Sequence, residues 1–240
     1  MPANVLNNGL TIQWYGHATV LLTTPGGKRV MIDPFVQSNP LCPQALHTVG
    51  RLDLLLITHA HNDHMGDVFT VAQSAQPKHI VAIHEIATYL ELKGLSNTVG
   101  MNRGGTFAAE GIRVTQTPAV HSSTFQDGQT LITLGEACGY VVELENGYRV
   151  YHAGDTDLFG DMALIGERWR PDLALLPIGG HYTMGPQDAA RAAQLLGARR
   201  VVPIHYGTWP ILAGTPEQLQ AAGRDAGLEV LVLRPGETLS

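Results

Sequence analysis

The apolar positions change period along the chain, and the changes mark its elements. Leu54-Leu55-Leu56-Ile57 and Leu173-Ala174-Leu175-Leu176 are short unbroken apolar runs, each preceded by an aspartate. That pattern belongs to strands buried on both faces of a parallel sheet. Residues 10–15, 18–24 and 29–33 read as three strands, the last two joined by the turn-forming Pro25-Gly26-Gly27-Lys28. Further strands are predicted over 79–83, 111–117, 139–145, 148–153, 199–204 and 228–233. Asn146-Gly147 predicts a type I′ turn. Helical spacing covers 68–76, 85–93 (closed by Gly94), 158–168, 186–196 (opened by Pro186) and 215–226. Residues 35–51 and 123–135 read as loops, the second with a turn at Asp127-Gly128. The alternation gives an α/β protein, with no linker and a single domain over 1–240. Asp53-Leu54-Leu55-Leu56-Ile57 aligns without a gap with Asp172-Leu173-Ala174-Leu175-Leu176, and the same register sets Met65-Gly66 opposite Met184-Gly185. Two βα halves of common origin would leave such a trace.

Chemistry concentrates after the first apolar run, in Thr58-His59-Ala60-His61-Asn62-Asp63-His64. The cluster is expected on a turn at the C-terminal end of a buried strand, where α/β folds place ligands. Asn62 or Asp63 is suited to cap the helix that follows. Two imidazoles two positions apart on extended backbone point the same way and can share a metal ion at about 2.0–2.1 Å. Asp63 and His64 fall on the next turn, placed for a second ion beside the first. An aspartate beside metal-bound water can also move protons.

Composition narrows the field. A formal net charge of −6 with no basic run argues against a nucleic-acid groove, and the 44% hydrophobic content argues against disorder. Cys42 and Cys138 stand in no metal or redox spacing and are read as buried or incidental thiols. Met1-Pro2-Ala3-Asn4 has neither a charged nor an apolar leader region, and no apolar run approaches the roughly 18 residues that span a bilayer. A cytoplasmic protein without a membrane segment is expected. Oligomeric state is not readable.

The order His-x-His-x-Asp-His after an apolar strand resembles the metallo-β-lactamase superfamily, and within it the small single-domain bacterial metal-dependent hydrolases related to ascorbate-6-phosphate lactonases. The resemblance runs along nearly the whole chain and implies an αβ/βα four-layer sandwich. Position by position it implies that His59, His61 and His121 hold one divalent ion, that Asp63, His64 and His205 hold a second, and that Asp155 bridges. His121 after a strand and Gly154-Asp155 at a strand end would carry little weight alone. Zinc is the default for ligands without thiolate, with Mn²⁺, Fe²⁺ or Ni²⁺ as alternatives. The expected activity is hydrolysis by a metal-bound hydroxide of an ester or lactone bond in a small anionic substrate, with Asp63 handling the proton. The alternatives are a phosphodiesterase of the nuclease or phospholipase kind and, more remotely, a non-hydrolytic metal-binding or scaffold protein.

Several residues keep two readings. Asp33, at a strand end, is either a plain turn-former or a carboxylate that bonds a ligand histidine. His17, after Gly16, is either structural or at the edge of the site, or else catalytic. His181, after Gly179-Gly180, is either a loop histidine or a group that binds a substrate anion or protonates a leaving group. His152 reads as packing or as support for a ligand, His79 and His84 as structural, and His47 as surface.

Overall fold

The computed structural model describes Leu6 and residues 8–240; Met1-Pro2-Ala3-Asn4, read above for a leader region, lies outside the described residues. The chain divides into two compact units, one of residues 1–102, 122–136 and 233–240, the other of 103–121 and 137–232.

In the first unit β1 (Thr11–Gly16), β2 (Thr19–Thr23) and β3 (Arg29–Ile32) form an antiparallel meander. β4 (Leu54–Leu56), β5 (His79–Ile83) and β6 (Thr98–Met101) continue from β3 as parallel strands. Between them come α1 (Asn62–Met65), α2 (Val68–Ala75) and α3 (His84–Leu92). The second unit opens with β7 (Thr106–Ala109) and β8 (Ile112–Pro118). The chain then returns to the first unit for β9 (Thr124–Asp127) and β10 (Thr130–Thr133). The second unit is completed by β11 (Cys138–Glu143), β12 (Arg149–His152), α4 (Met162–Trp169), β13 (Leu173–Pro177), α5 (Pro186–Leu196), β14 (Arg200–Ile204), α6 (Pro216–Gly223) and β15 (Glu229–Val230). Finally β16 (Thr238–Leu239) rejoins the first unit at the edge of β1.

The two large sheets share one plan. One runs β16-β1-β2-β3-β4-β5-β6, the other β15-β14-β13-β12-β11-β8-β7. In each, an antiparallel meander feeds a run of parallel strands, and the entry to that run is built identically. Arg29 N donates to Asp53 Oδ2 at 2.9 Å, and Arg149 N donates to Asp172 Oδ2 at 2.8 Å. The aspartates that align in the sequence therefore make the same bond in both sheets.

Each unit has its own core. β4 and β13 are buried at every position, as their unbroken apolar runs require. Leu55, Ile57, Met65, Val68 and Ile80 pack together in the first unit, and Ala174, Leu176, Ile165, Ala189 and Val201 in the second. Cys42 and Cys138 are free and buried. Burial pushes the Cys42 thiol up to about 11, with the Asp67 carboxylate adding to the shift.

Four local expectations are corrected. Asn146-Gly147 does not form a type I′ turn. Gly147 N donates to Leu144 O and Leu144 N to Tyr148 O, Gly147 has φ +82°, and Asn146 keeps a negative φ. This is the three-residue loop that ends in a glycine bulge, and Thr24–Lys28 closes the β2–β3 hairpin in the same way. The segment 123–135 is not a loop: β9 and β10 pair from Thr124↔Thr133 to Asp127↔Thr130, with Gly128 opening a two-residue turn. Phe125 is buried and its cross-strand partner Ile132 packs on the first core, so this pair anchors the hairpin. Asn62 and Asp63 do not cap the helix at 68 but lie inside the short α1, and α2 begins after Asp67. The Asp67 carboxylate accepts instead from Val36 N, Ser38 N and Ser38 Oγ, which fixes the loop ahead of the metal motif. The last predicted strand shrinks to Glu229–Val230.

Candidate metal centre

In the first unit the histidine cluster begins just past the end of β4 and runs into α1. Asp33, at the end of β3, organises it from below and is fully buried. One carboxylate oxygen accepts from Thr58 N at 2.8 Å; the other accepts from Thr58 Oγ1 at 2.7 Å and from His64 Nδ1 at 2.8 Å. Of the two readings of Asp33, the structure shows the one in which it bonds a histidine of the cluster. A carboxylate behind an imidazole fixes the tautomer and the ring plane, so His64 carries its proton on Nδ1 and presents Nε2 as a lone pair.

A second chain fixes His59. The Thr58 hydroxyl gives its hydrogen to Asp33, so toward His59 Nδ1, 3.0 Å away, it acts as acceptor. The His59 proton therefore sits on Nδ1, and the Nε2 lone pair faces His61 Nδ1 at 3.0 Å. Two imidazole nitrogens in that relation need a cation, a proton or a metal ion, between them. Ligand atoms about 2.0–2.1 Å from a tetrahedral ion stand about 3.3 Å apart, so the pair is spaced as co-ligands. Around it, His61 Nε2 lies 3.2 Å from Ser122 Oγ, and the His59 and His64 rings are 4.0 Å apart by centroid. Asp63 Oδ2 is 3.1 Å from His17 Nε2, and the ligand atoms of His17, Asp63 and His64 lie within 4.8 Å of one another.

In the second unit three of the expected ligands come together at strand ends. Asp155 follows β12, His205 follows β14, and His121 lies beyond β8. Asp155 Oδ2 stands 3.6 Å from His121 Nε2 and 3.0 Å from His205 Nε2. A single carboxylate oxygen between two imidazole nitrogens suits a ligand shared by two ions, and both distances again match co-ligand spacing. The loop around them is tied by bonds from Val120 N to Thr156 Oγ1, Asp157 N to Val120 O and Met184 N to Thr156 O. Gly179 is obligatory beside His205, because a Cβ there would lie 2.2 Å from the His205 carbonyl oxygen.

His17, Asp33, His181 and His205 all have φ between +54° and +59°. That region is rare for residues with a Cβ, and its concentration at functional sites is a recurring pattern. His181 is exposed, with its ring edge on Tyr182 at 4.4 Å. His152 is buried on β12 and accepts from Gly154 N at 3.1 Å, so it shapes the Gly154-Asp155 turn. His47 is half-buried against the Cys42 carbonyl rather than fully on the surface. No helix among the described residues is long and apolar enough to cross a membrane.

The chain is similar to known metal-dependent hydrolases. A family model described as a β-lactamase superfamily domain matches residues 28–206. A UPF0173 metal-dependent hydrolase of Rubrobacter xylanophilus is 51% identical over 235 residues, 96% of each chain. One from Thermococcus onnurineus is 48% identical over 95% of this chain and 98% of its own. Among solved structures, the metallo hydrolase Igni18 of Ignicoccus hospitalis is 37% identical with a TM-score of 0.84, covering 95% of this chain and 97% of its own. With strand-end histidines and aspartates spaced for divalent ions on a metallo-β-lactamase fold, and with relatives of that identity and coverage, the chain belongs to the β-lactamase superfamily as a UPF0173-type metal-dependent hydrolase.

Proposed function

We propose that the protein is a dinuclear hydrolase that cleaves an ester or lactone bond of a small anionic substrate. His59, His61 and His121 would hold one ion and Asp63, His64 and His205 the other, with Asp155 serving both. The observation that carries the two-ion reading is the single Asp155 oxygen 3.6 Å and 3.0 Å from the nitrogens of His121 and His205. In the superfamily pattern those two histidines belong to different ions. Divalent ions there supply Lewis acidity toward a substrate oxygen and lower the pKa of a coordinated water to about 7.

The residues of the chain do the rest. Asp33 and Thr58 hold the rings of His64 and His59 in the tautomers that leave their Nε2 atoms as ligands. Asp63, with its side chain 28% exposed, orients the attacking water and takes up its proton. His181 binds the anionic group or returns a proton to the leaving oxygen. A net charge of −6 and the absence of a basic run favour a small substrate over a nucleic acid.

Two measurements test this together. Elemental analysis of protein purified without added metal is expected to find two equivalents of zinc per chain. One equivalent would overturn the dinuclear reading, and a dominant manganese or iron signal the choice of zinc. A lactone reporter and a bis(aryl) phosphodiester reporter are then compared, with Asp155→Ala as the blank. Turnover of the lactone above the blank is expected. Turnover of the phosphodiester alone would place the protein among phosphodiesterases instead.

A further inference from the structure

We propose that His17 is a positioning residue for Asp63, holding the carboxylate in the orientation that proton transfer and ion binding need; the inference rests on the role given to Asp63 above. The β1–β2 connection is a two-residue loop, His17-Ala18, between the paired Gly16 and Thr19. His17 occupies its first position with φ +54°. A two-residue hairpin with positive φ at that position takes glycine by default, because a Cβ is unfavourable there. The chain places an imidazole in the strained position and buries it completely.

The surroundings fix the ring. The Trp14 indole N–H donates to the His17 carbonyl at 2.9 Å, and Asn39 Nδ2 donates to Gly16 O at 3.2 Å and to Phe35 O at 3.2 Å. The turn is thus tied to the loop that follows β3. The ring of Phe35 stands edge-on at 5.7 Å and that of His64 at 5.4 Å. Gly16 cannot yield either, since a Cβ there would lie 2.7 Å from Leu41 Cβ. With backbone and ring plane both set, Nε2 meets Asp63 Oδ2 at 3.1 Å.

Asp63 needs such a partner. It sits in the first turn of a four-residue helix, too short to hold a side chain by packing. Its carboxylate is partly exposed, and a donor fixed in place narrows the rotamers it samples. A buried imidazole N–H selects one of them, as the carboxylate of Asp33 does for His64 from the other side of the cluster.

The test uses the full chain loaded with zinc. His17→Gly suits the backbone and removes the donor. His17→Asn also tolerates positive φ, but its amide falls short of Asp63. His17→Gln can extend its amide nitrogen to about the place of Nε2, and Gln76 shows that glutamine accepts φ +46° in this chain. Chelator competition is expected to show the weaker-bound ion released 10–100-fold more readily in His17→Gly and His17→Asn. On whichever reporter the parent turns over, kcat should fall about tenfold or more with KM little changed, and His17→Gln should recover most of both. Unchanged ion affinity and kcat in the Gly and Asn variants would overturn the proposal. So would equal loss in all three, which would make His17 itself a ligand or a purely structural group. If the parent turns over neither reporter, the affinity arm still decides the role of His17, so its failure is distinguishable from failure of the substrate reading.

Discussion

Asp63→Asn is expected to keep the fold while losing roughly 10²–10⁴-fold in kcat, the usual contribution of a positioned acid–base group. The amide is isosteric, so the side chain can stay in place, and its oxygen can still accept from His17 Nε2, now 3.1 Å from the carboxylate. What disappears is the charge and the ability to take up a proton. Steady-state rates with elemental analysis of the same preparation check this. Full turnover in the variant would remove Asp63 from the mechanism. Loss of one ion alongside the rate would show that its main work is as a ligand.

Asp33 governs a second large effect, on stability and metal affinity at once. Its buried carboxylate accepts from Thr58 N, Thr58 Oγ1 and His64 Nδ1. Asp33→Ala leaves those three donors inside without their acceptor, at about 1–3 kcal/mol for each unsatisfied group. A loss of about 3 kcal/mol or more is expected, lowering Tm by roughly 6–12 °C at 2–4 °C per kcal/mol. Metal affinity should fall 10–100-fold, because the His64 and His59 rings lose their common anchor. Asp33→Asn separates the two effects. Asparagine accepts the φ of +55° and can still accept from Thr58 N, but it turns an amide toward the donors on the other side. It should restore part of the Tm and little of the metal affinity. Thermal unfolding with and without bound metal, and chelator competition, are the measurements. Normal affinity in Asp33→Asn would show that this carboxylate is a turn element only.

The sequence was most legible where one physical requirement dominated. Leu54-Leu55-Leu56 could only be a strand covered on both faces, and it is. The motif after it was readable because four ligand-type side chains in six positions have few other uses. Asp33 was ambiguous in sequence, since an aspartate at a strand end serves a turn equally well, and its bond to His64 resolves the question. The misses have physical causes. Asn146-Gly147 suits both a type I′ turn and a glycine bulge, and strand register decides between them. The β9–β10 hairpin is rich in threonine and carries little apolar signal beyond Phe125, Leu131 and Ile132. Asp67 was not seen as a loop clamp because its partners lie some 30 positions earlier in the chain. His121, Asp155 and His205 were located by resemblance rather than by spacing, since each stands alone in its stretch.

The strand β16 has a consequence for how the protein is made. It pairs with β1 through Ile12↔Leu239 and Gln13↔Thr238, so the second strand to leave the ribosome's neighbourhood finds its partner long before the first strand's outer edge does. At about 5–20 residues per second, that edge waits unpaired for roughly ten seconds or more during synthesis. Unpaired edges template association with other chains. The polar Thr11 and Gln13 on β1, at half-buried positions, then act as gatekeepers over the interval before Thr238 and Leu239 arrive. Nascent-chain solubility, rather than the stability of the finished fold, is where substitutions at those two positions should be felt.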